Sequence, residues 1–123
     1  MGAIDKLKRP DPEMDRKECQ ADAELAAEMA ANAACSAVTW AQSAGVGEDD
    51  AAEAVRAAMR ARVAAERAVT ATTDEQARME TAAAWAATES ALEADQRVVE
   101  EIARAIELRA DPEPGTSESA PER

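Results

Sequence analysis

Between Thr81 and Arg109 the chain runs without a glycine or a proline. Stepping by three and four, Trp85, Leu92, Val99 and Ile106 share one heptad position, and Thr88, Asp95, Ile102 and Arg109 share the other. Nothing in the stretch breaks a helix. A helix with an apolar seam is stable in water when other helices cover that seam. The stretch therefore predicts an all-α fold in which the rest of the chain supplies the covering helices.

Glycines and caps divide the remainder. Asp11-Pro12-Glu13 has the order N-cap, first-turn proline, dipole-facing acid, and starts a first helix expected over residues 12–44. Met14, Leu25, Met29 and Trp40 form its stripe, with Glu18, Asn32 and Ser36 among them. Several of these recur every eleven residues, which suits a nearly straight helix. Gly45-Val46-Gly47 ends it, with Gly45 suited to a left-handed cap. Glu48, Asp49 and Asp50 then charge the first turn of a second helix, expected over 48–70. Val55, Met59 and Val63 are its apolar ladder, and Arg56, Arg60 and Arg67 a second stripe expected to face carboxylates of the other two helices. Thr72 with Glu75, or Thr73 with Gln76, restarts the chain into a third helix over 73–109. The short hinges make neighbouring helices antiparallel. The architecture expected is one antiparallel three-helix bundle over 12–109. Residues 1–11, with Ile4 and Leu7 among basic residues, form a flexible lead, and the Pro-, Ser- and Glu-rich 110–123 a disordered acidic tail.

Composition tempers the core. Hydrophobic residues make up 46% of the 123, but 34 of them are alanine and only 21 are Leu, Ile, Val, Met or Trp. Alanine forms helix readily and buries little area, so helices form and pack closely around a thin core. Counting levels along antiparallel helices sets Trp40 near Val55 and Leu92, and Met29 near Met59 and Trp85. Asp95, on the seam, stands where the bundle opens to solvent or pairs with an arginine such as Arg56.

The chemistry-bearing residues are few. There is no histidine, tyrosine or phenylalanine. Cys19 and Cys35 lie about 24 Å apart along one helix, so they cannot bridge each other there. Without histidine or a close cysteine pair there is no zinc pattern, and Glu24 and Glu28 read as a solvated face. No catalytic, cofactor or metal site is expected. Two unpaired thiols, expected to be buried, go with a reducing, cytoplasmic setting. No apolar run approaches a membrane span, and the first residues lack the apolar core of a signal peptide. Arginine outnumbers lysine eleven to three, which with the alanine content fits a GC-rich bacterial genome. The net charge of −12 opposes binding to nucleic acid or an anionic membrane.

Helix length points to function. The second helix is the shortest, so the third passes the Gly45–Gly47 turn at about residue 96 and projects beyond it. Val99, Ile102 and Ile106 lie on that projection, with Val98 and Leu108 on its other sides. Exposed apolar side chains on a free helix end mark an interface. These five are the candidate partner-binding residues. The expected partner is a protein: a second copy forming a homodimer, or another helical chain. The expected role is a non-enzymatic interaction module such as an adaptor, scaffold or assembly factor. The alternative is an acidic inhibitor or nucleic-acid mimic that docks on a basic surface.

Overall fold

The computed structural model describes residues 15–110. Three helices, α1 (Arg16–Ala44), α2 (Glu48–Val69) and α3 (Asp74–Ala110), each pack on the other two. The protein is an all-α three-helix bundle with up-down-up topology. The lead, the Asp11–Glu13 start signal, Met14 and the tail lie outside the described residues.

The observed start of α1 is Asp15. Its side chain accepts from Glu18 N–H at 2.9 Å while Glu18 accepts from Asp15 N–H at 3.2 Å, a reciprocal capping box. Gly45 ends α1 in the left-handed region at φ 75°, and Gly47 begins α2 at φ 83°. Thr73 caps α3, accepting from Gln76 N–H at 3.0 Å. The N-terminus of α1 clasps the α2–α3 turn. Arg16 donates to the carbonyls of Ala71 and Thr72, and Gln20 to those of Ala68 and Val69. These bonds tie α1 to carbonyls at and just past the end of α2.

The interior is made of alanine. At one end of the bundle Cys19 packs with Ala71 and Ala77; next come Ala23, Ala26, Ala65, Ala68, Ala84 and Trp85. Ala30, Ala33, Ala57, Ala61 and Ala91 fill the middle. Ala37, Ala41, Ala51, Ala54, Ala94 and Val98 close the end nearest the glycine turn. Each helix thus presents small residues at alternating steps of three and four: 23, 26, 30, 33, 37 on α1; 54, 57, 61, 64, 68 on α2; 77, 81, 84, 88, 91 on α3.

Small interior residues draw the backbones together, and two threonines record how close they come. Thr81 Oγ1 reaches the Cys19 carbonyl at 3.0 Å and its own helix at Ala77 O at 2.8 Å. Seven residues on, Thr88 Oγ1 reaches the Ala26 carbonyl at 2.7 Å and Ala84 O at 2.8 Å. Both hydroxyls are fully buried. A threonine side chain is short, so contact with a neighbouring helix's carbonyl needs near backbone-to-backbone packing. The matched seven-residue spacing on both helices locks α3 against α1 in one register.

This geometry corrects the expected seam. The buried line of α3 runs through Thr81, Ala84, Thr88, Ala91 and Val98. Leu92, Val99 and Ile106 sit one residue further along, on its flank, and are exposed; of that set only Trp85 is buried. The expected central pairs of large residues do not form the core either. Trp40 is 53% exposed and Met59 63%, and Leu25, Met29, Val55 and Val63 are also surface residues. The levels along the bundle match, since 37–41 lies beside 51–54 and 94–98, but the side chains point outward. An alanine-lined interior has no room for them.

Candidate interaction surface

At the end of α3 the overhang is real but begins later than expected. Gly47 lies against Val98 and Glu101: a Cβ added there would stand 3.2 Å from Val98 Cγ1. The glycine turn is therefore level with residues 98–101. Val98 is fully buried by this turn and by Ala41, Ala51 and Ala54, so it presents no exposed side chain at this end. Ile102 is half-buried against the same cluster. Beyond it, Ile106 is 58% and Leu108 80% exposed. Val99 is exposed on the same flank as Ile106, the flank on which Trp85 meets Asp22 of α1. The candidate set from the sequence thus splits into one core residue, one rim residue and three surface residues: Val99, Ile106 and Leu108.

A second apolar surface was missed. Val55, Met59 and Val63, expected inside, form a ridge along the outer face of α2. An apolar groove lies on each side of it. The α1 side is lined by Ala31, Ala34, Cys35, Val38 and Ala58, with Arg62 at its edge. The α3 side is lined by Ala64, Ala83, Ala86 and Ala87, with Arg60, Arg67 and Glu80 around it. The usable signal in the sequence was the small-residue stripe at 54, 57, 61, 64 and 68, which claims the interior face and leaves the valine–methionine ladder outside.

The charges also differ from expectation. Arg56 and Arg60 pair with Glu53 of their own helix, at 3.0 and 3.4 Å, rather than with carboxylates of α1 or α3. Those two guanidiniums hold the Glu53 carboxyl below its ordinary range. Between helices, Arg97 binds Asp50 at 2.9 Å and Arg16 approaches Asp74 at 3.8 Å. Asp95 takes no arginine among the described residues; it is half-buried, with Oδ1 enclosed and unpartnered. Asp22 is pushed above the usual carboxylate range by burial, offset in part by the Trp85 indole N–H. That contact is loose, because neither Asp22 Oδ2 nor Trp85 Nε1 completes a hydrogen bond.

The thiols separate. Both are free, but Cys19 is buried while Cys35 is exposed in the α1–α2 groove, which corrects the expectation of two buried thiols. Burial raises the Cys19 thiol above its ordinary value. Among the described residues no group of three or more His, Cys, Asp or Glu could hold a metal ion, and no helix is long and apolar enough to cross a membrane. No protein-family model, curated protein or solved structure matches the chain.

Proposed function

We propose that this chain is a non-enzymatic helical interaction module, an adaptor, scaffold or assembly factor, that docks on a helical protein partner through the free end of α3. The observation that carries this reading is Ile106 and Leu108 standing in solvent on a helix end past the glycine turn, in a protein whose interior is alanine. Apolar side chains on a projecting helix gain free energy when a partner covers them, roughly 25 cal/mol for each Å² removed from water. A thin alanine core leaves the single chain modestly stable, and a bound partner adds to that stability. A reducing, cytoplasmic setting goes with this reading, since both thiols are unpaired.

The test is contact-specific capture. A photo-crosslinking side chain is placed at Ile106 or Leu108, and at exposed Glu24 on α1 as the control, in the cells that make the protein. The expected result is one discrete protein adduct from positions 106 and 108 and none from 24. Ile106→Asp with Leu108→Asp should remove the adduct and leave the melting temperature within about 2 °C, because both side chains are already exposed. No adduct from the α3 end, or the same adducts from position 24, would refute the reading.

A further inference from the structure

The outer face of α2 is organised differently from the rest of the surface. Its ladder is a palindrome: Met59 at the centre, a valine four residues before it and a valine four residues after it. All three are exposed, and Met59 borders both grooves. The charges around this centre are divided by sign. Before Met59, Glu48, Asp49, Asp50 and Glu53 outnumber Arg56; after it, Arg60, Arg62 and Arg67 outnumber Glu66. Segment 51–72 carries +2 in a chain of net −12.

We infer that this face binds a second copy of the chain, α2 against α2, antiparallel about a two-fold axis at Met59. This rests on reading the chain as an interaction module and names a partner and a surface other than the α3 end. A two-fold interface must be self-complementary: what residue i meets on the copy must in turn meet residue i. About Met59 the palindrome meets that condition, with Met59 on Met59 and each Val55 on the other copy's Val63. The charges meet it as well. Arg67 lies about 12 Å past Met59 along the axis, while Glu53 and Asp49 lie about 9 and 15 Å before it. At 100° per residue the three fall on one flank of the helix. The two-fold keeps that flank on the same side, so each Arg67 comes level with the gap between Asp49 and Glu53 of the other copy. A parallel two-fold would instead put each Arg67 level with the other copy's Arg67 and on the opposite flank, away from the acids. Glu53 already holds Arg56 and Arg60, so Asp49 is the acid that takes the incoming Arg67. Asp50 is engaged by Arg97 and takes no part. Arg67 forms no ion pair with the described residues of its own chain. An unrelated helical partner would require neither the palindrome nor the division of charge.

The 22 residues of α2 span about 33 Å, and with the groove walls they make a contact at the small end of specific interfaces. The dimer is accordingly expected to dissociate in the micromolar range. Sedimentation equilibrium of the full chain, from about 1 to 500 µM, reads this directly. Arg67→Glu should weaken association roughly tenfold, since symmetry removes two attractions and adds two repulsions. Adding Asp49→Arg to that variant should recover most of the loss. Met59→Asp should abolish association with an unchanged melting temperature. Placement is read with a short bismaleimide linker on chains carrying Cys35→Ser. With Met59→Cys these should couple into covalent dimers, and with Leu108→Cys they should not. A monomer at 500 µM would overturn the inference, as would a dimer unmoved by Arg67→Glu and Met59→Asp, or coupling through position 108 instead of 59. None of these results touches capture of a different protein at the α3 end, which tests the functional reading separately.

Discussion

Ala91 sits at the middle of the bundle, fully buried among Ala30 and Ala33 of α1 and Ala57 and Ala61 of α2. Ala91→Leu adds three carbons. In an adaptable core they would contribute up to about 2.4 kcal/mol, at about 0.8 kcal/mol per buried methylene. Here they can enter only if the helices part. Parting them by about 1 Å carries Thr88 Oγ1 from 2.7 Å, and Thr81 Oγ1 from 3.0 Å, out of bonding range of the α1 carbonyls. Each such bond is worth roughly 1 kcal/mol net, and alanine layers on both sides lose dispersion contacts as well. The expected outcome is a net loss of about 1–3 kcal/mol, as for overpacked cores generally. Urea unfolding measures it, with an unchanged m-value showing that the same surface is exposed. A double-mutant cycle with Thr88→Val then tests the cause. The hydroxyl replacement alone should cost about 1 kcal/mol, and close to nothing in the Ala91→Leu background, where its bond is already broken. If Ala91→Leu is neutral or stabilising, or if the two changes add to within about 0.4 kcal/mol, the helices are not held at the separation argued above.

Gly47→Ala should cost about 1–2 kcal/mol, more than Gly45→Ala: both have positive φ, but only at Gly47 would the new methyl meet Val98, at 3.2 Å. Paired thermal melts give the difference. Burial raises Asp22 above the ordinary carboxylate value of 3.8, so the folded state holds its proton more tightly than the unfolded state. Asp22 therefore lowers stability at neutral pH, and that penalty lessens as pH falls through the raised value and vanishes below the unfolded one. Asp22→Asn should raise the urea midpoint at pH 7 and lose that advantage toward pH 4, as a midpoint series across that range would record. Arg16→Ala opens the Ala71 and Thr72 carbonyls and should speed amide hydrogen exchange in residues 70–77 while leaving the centre of the bundle unchanged. With a maleimide reagent, Cys35 should label at once in the folded protein and Cys19 only on unfolding.

The element boundaries were legible because local chemistry sets them. Gly45 and Gly47 need positive φ, acids gather at the start of α2, and Thr73 with Gln76 caps α3; helices read at 48–70 and 73–109 are found at 48–69 and 74–110. α1 is capped by the box Asp15–Glu18, while the Asp11-Pro12-Glu13 signal lies outside the described residues. The face of each helix was harder. A hydrophobic pattern locates the interior when large residues fill it, and here they do not. One step along a helix turns the side chain by about 100°, enough to carry Leu92, Val99 and Ile106 from centre to flank and Val98 from flank to centre. Thr81 and Thr88, seven apart with Ala84 between them and Ala91 beyond, were the sequence's marker for the true line. Thr88 falls on the expected seam, but beside exposed Leu92 and Val99; Thr81 and the alanines, polar or small, do not stand out in a search for large apolar residues.

That displacement also decides which exposed side chains argue for docking. Once alanine fills the interior, most large apolar residues must stand outside it, Trp85 and Val98 excepted, so exposure by itself is a consequence of the packing. Leu25, Met29 and Leu92 belong to this class: each keeps more than half of its surface covered by the bundle. The end of α3 is different, because α2 does not begin until the level of Val98–Glu101, and among the described residues no second helix lies beside Leu108. The crest of α2 is different for another reason, since Met59 is 63% exposed and borders a groove on each side. Solvent exposure at these two places is not forced by the alanine core. Polar residues would serve there equally well for folding, and Glu53 and Glu66 occupy nearby positions on α2 without disturbing it. Substituting Met59 and Leu108 with charged residues should therefore leave the folded state intact and remove only association, a separation that the same changes at half-covered Leu92 should not give.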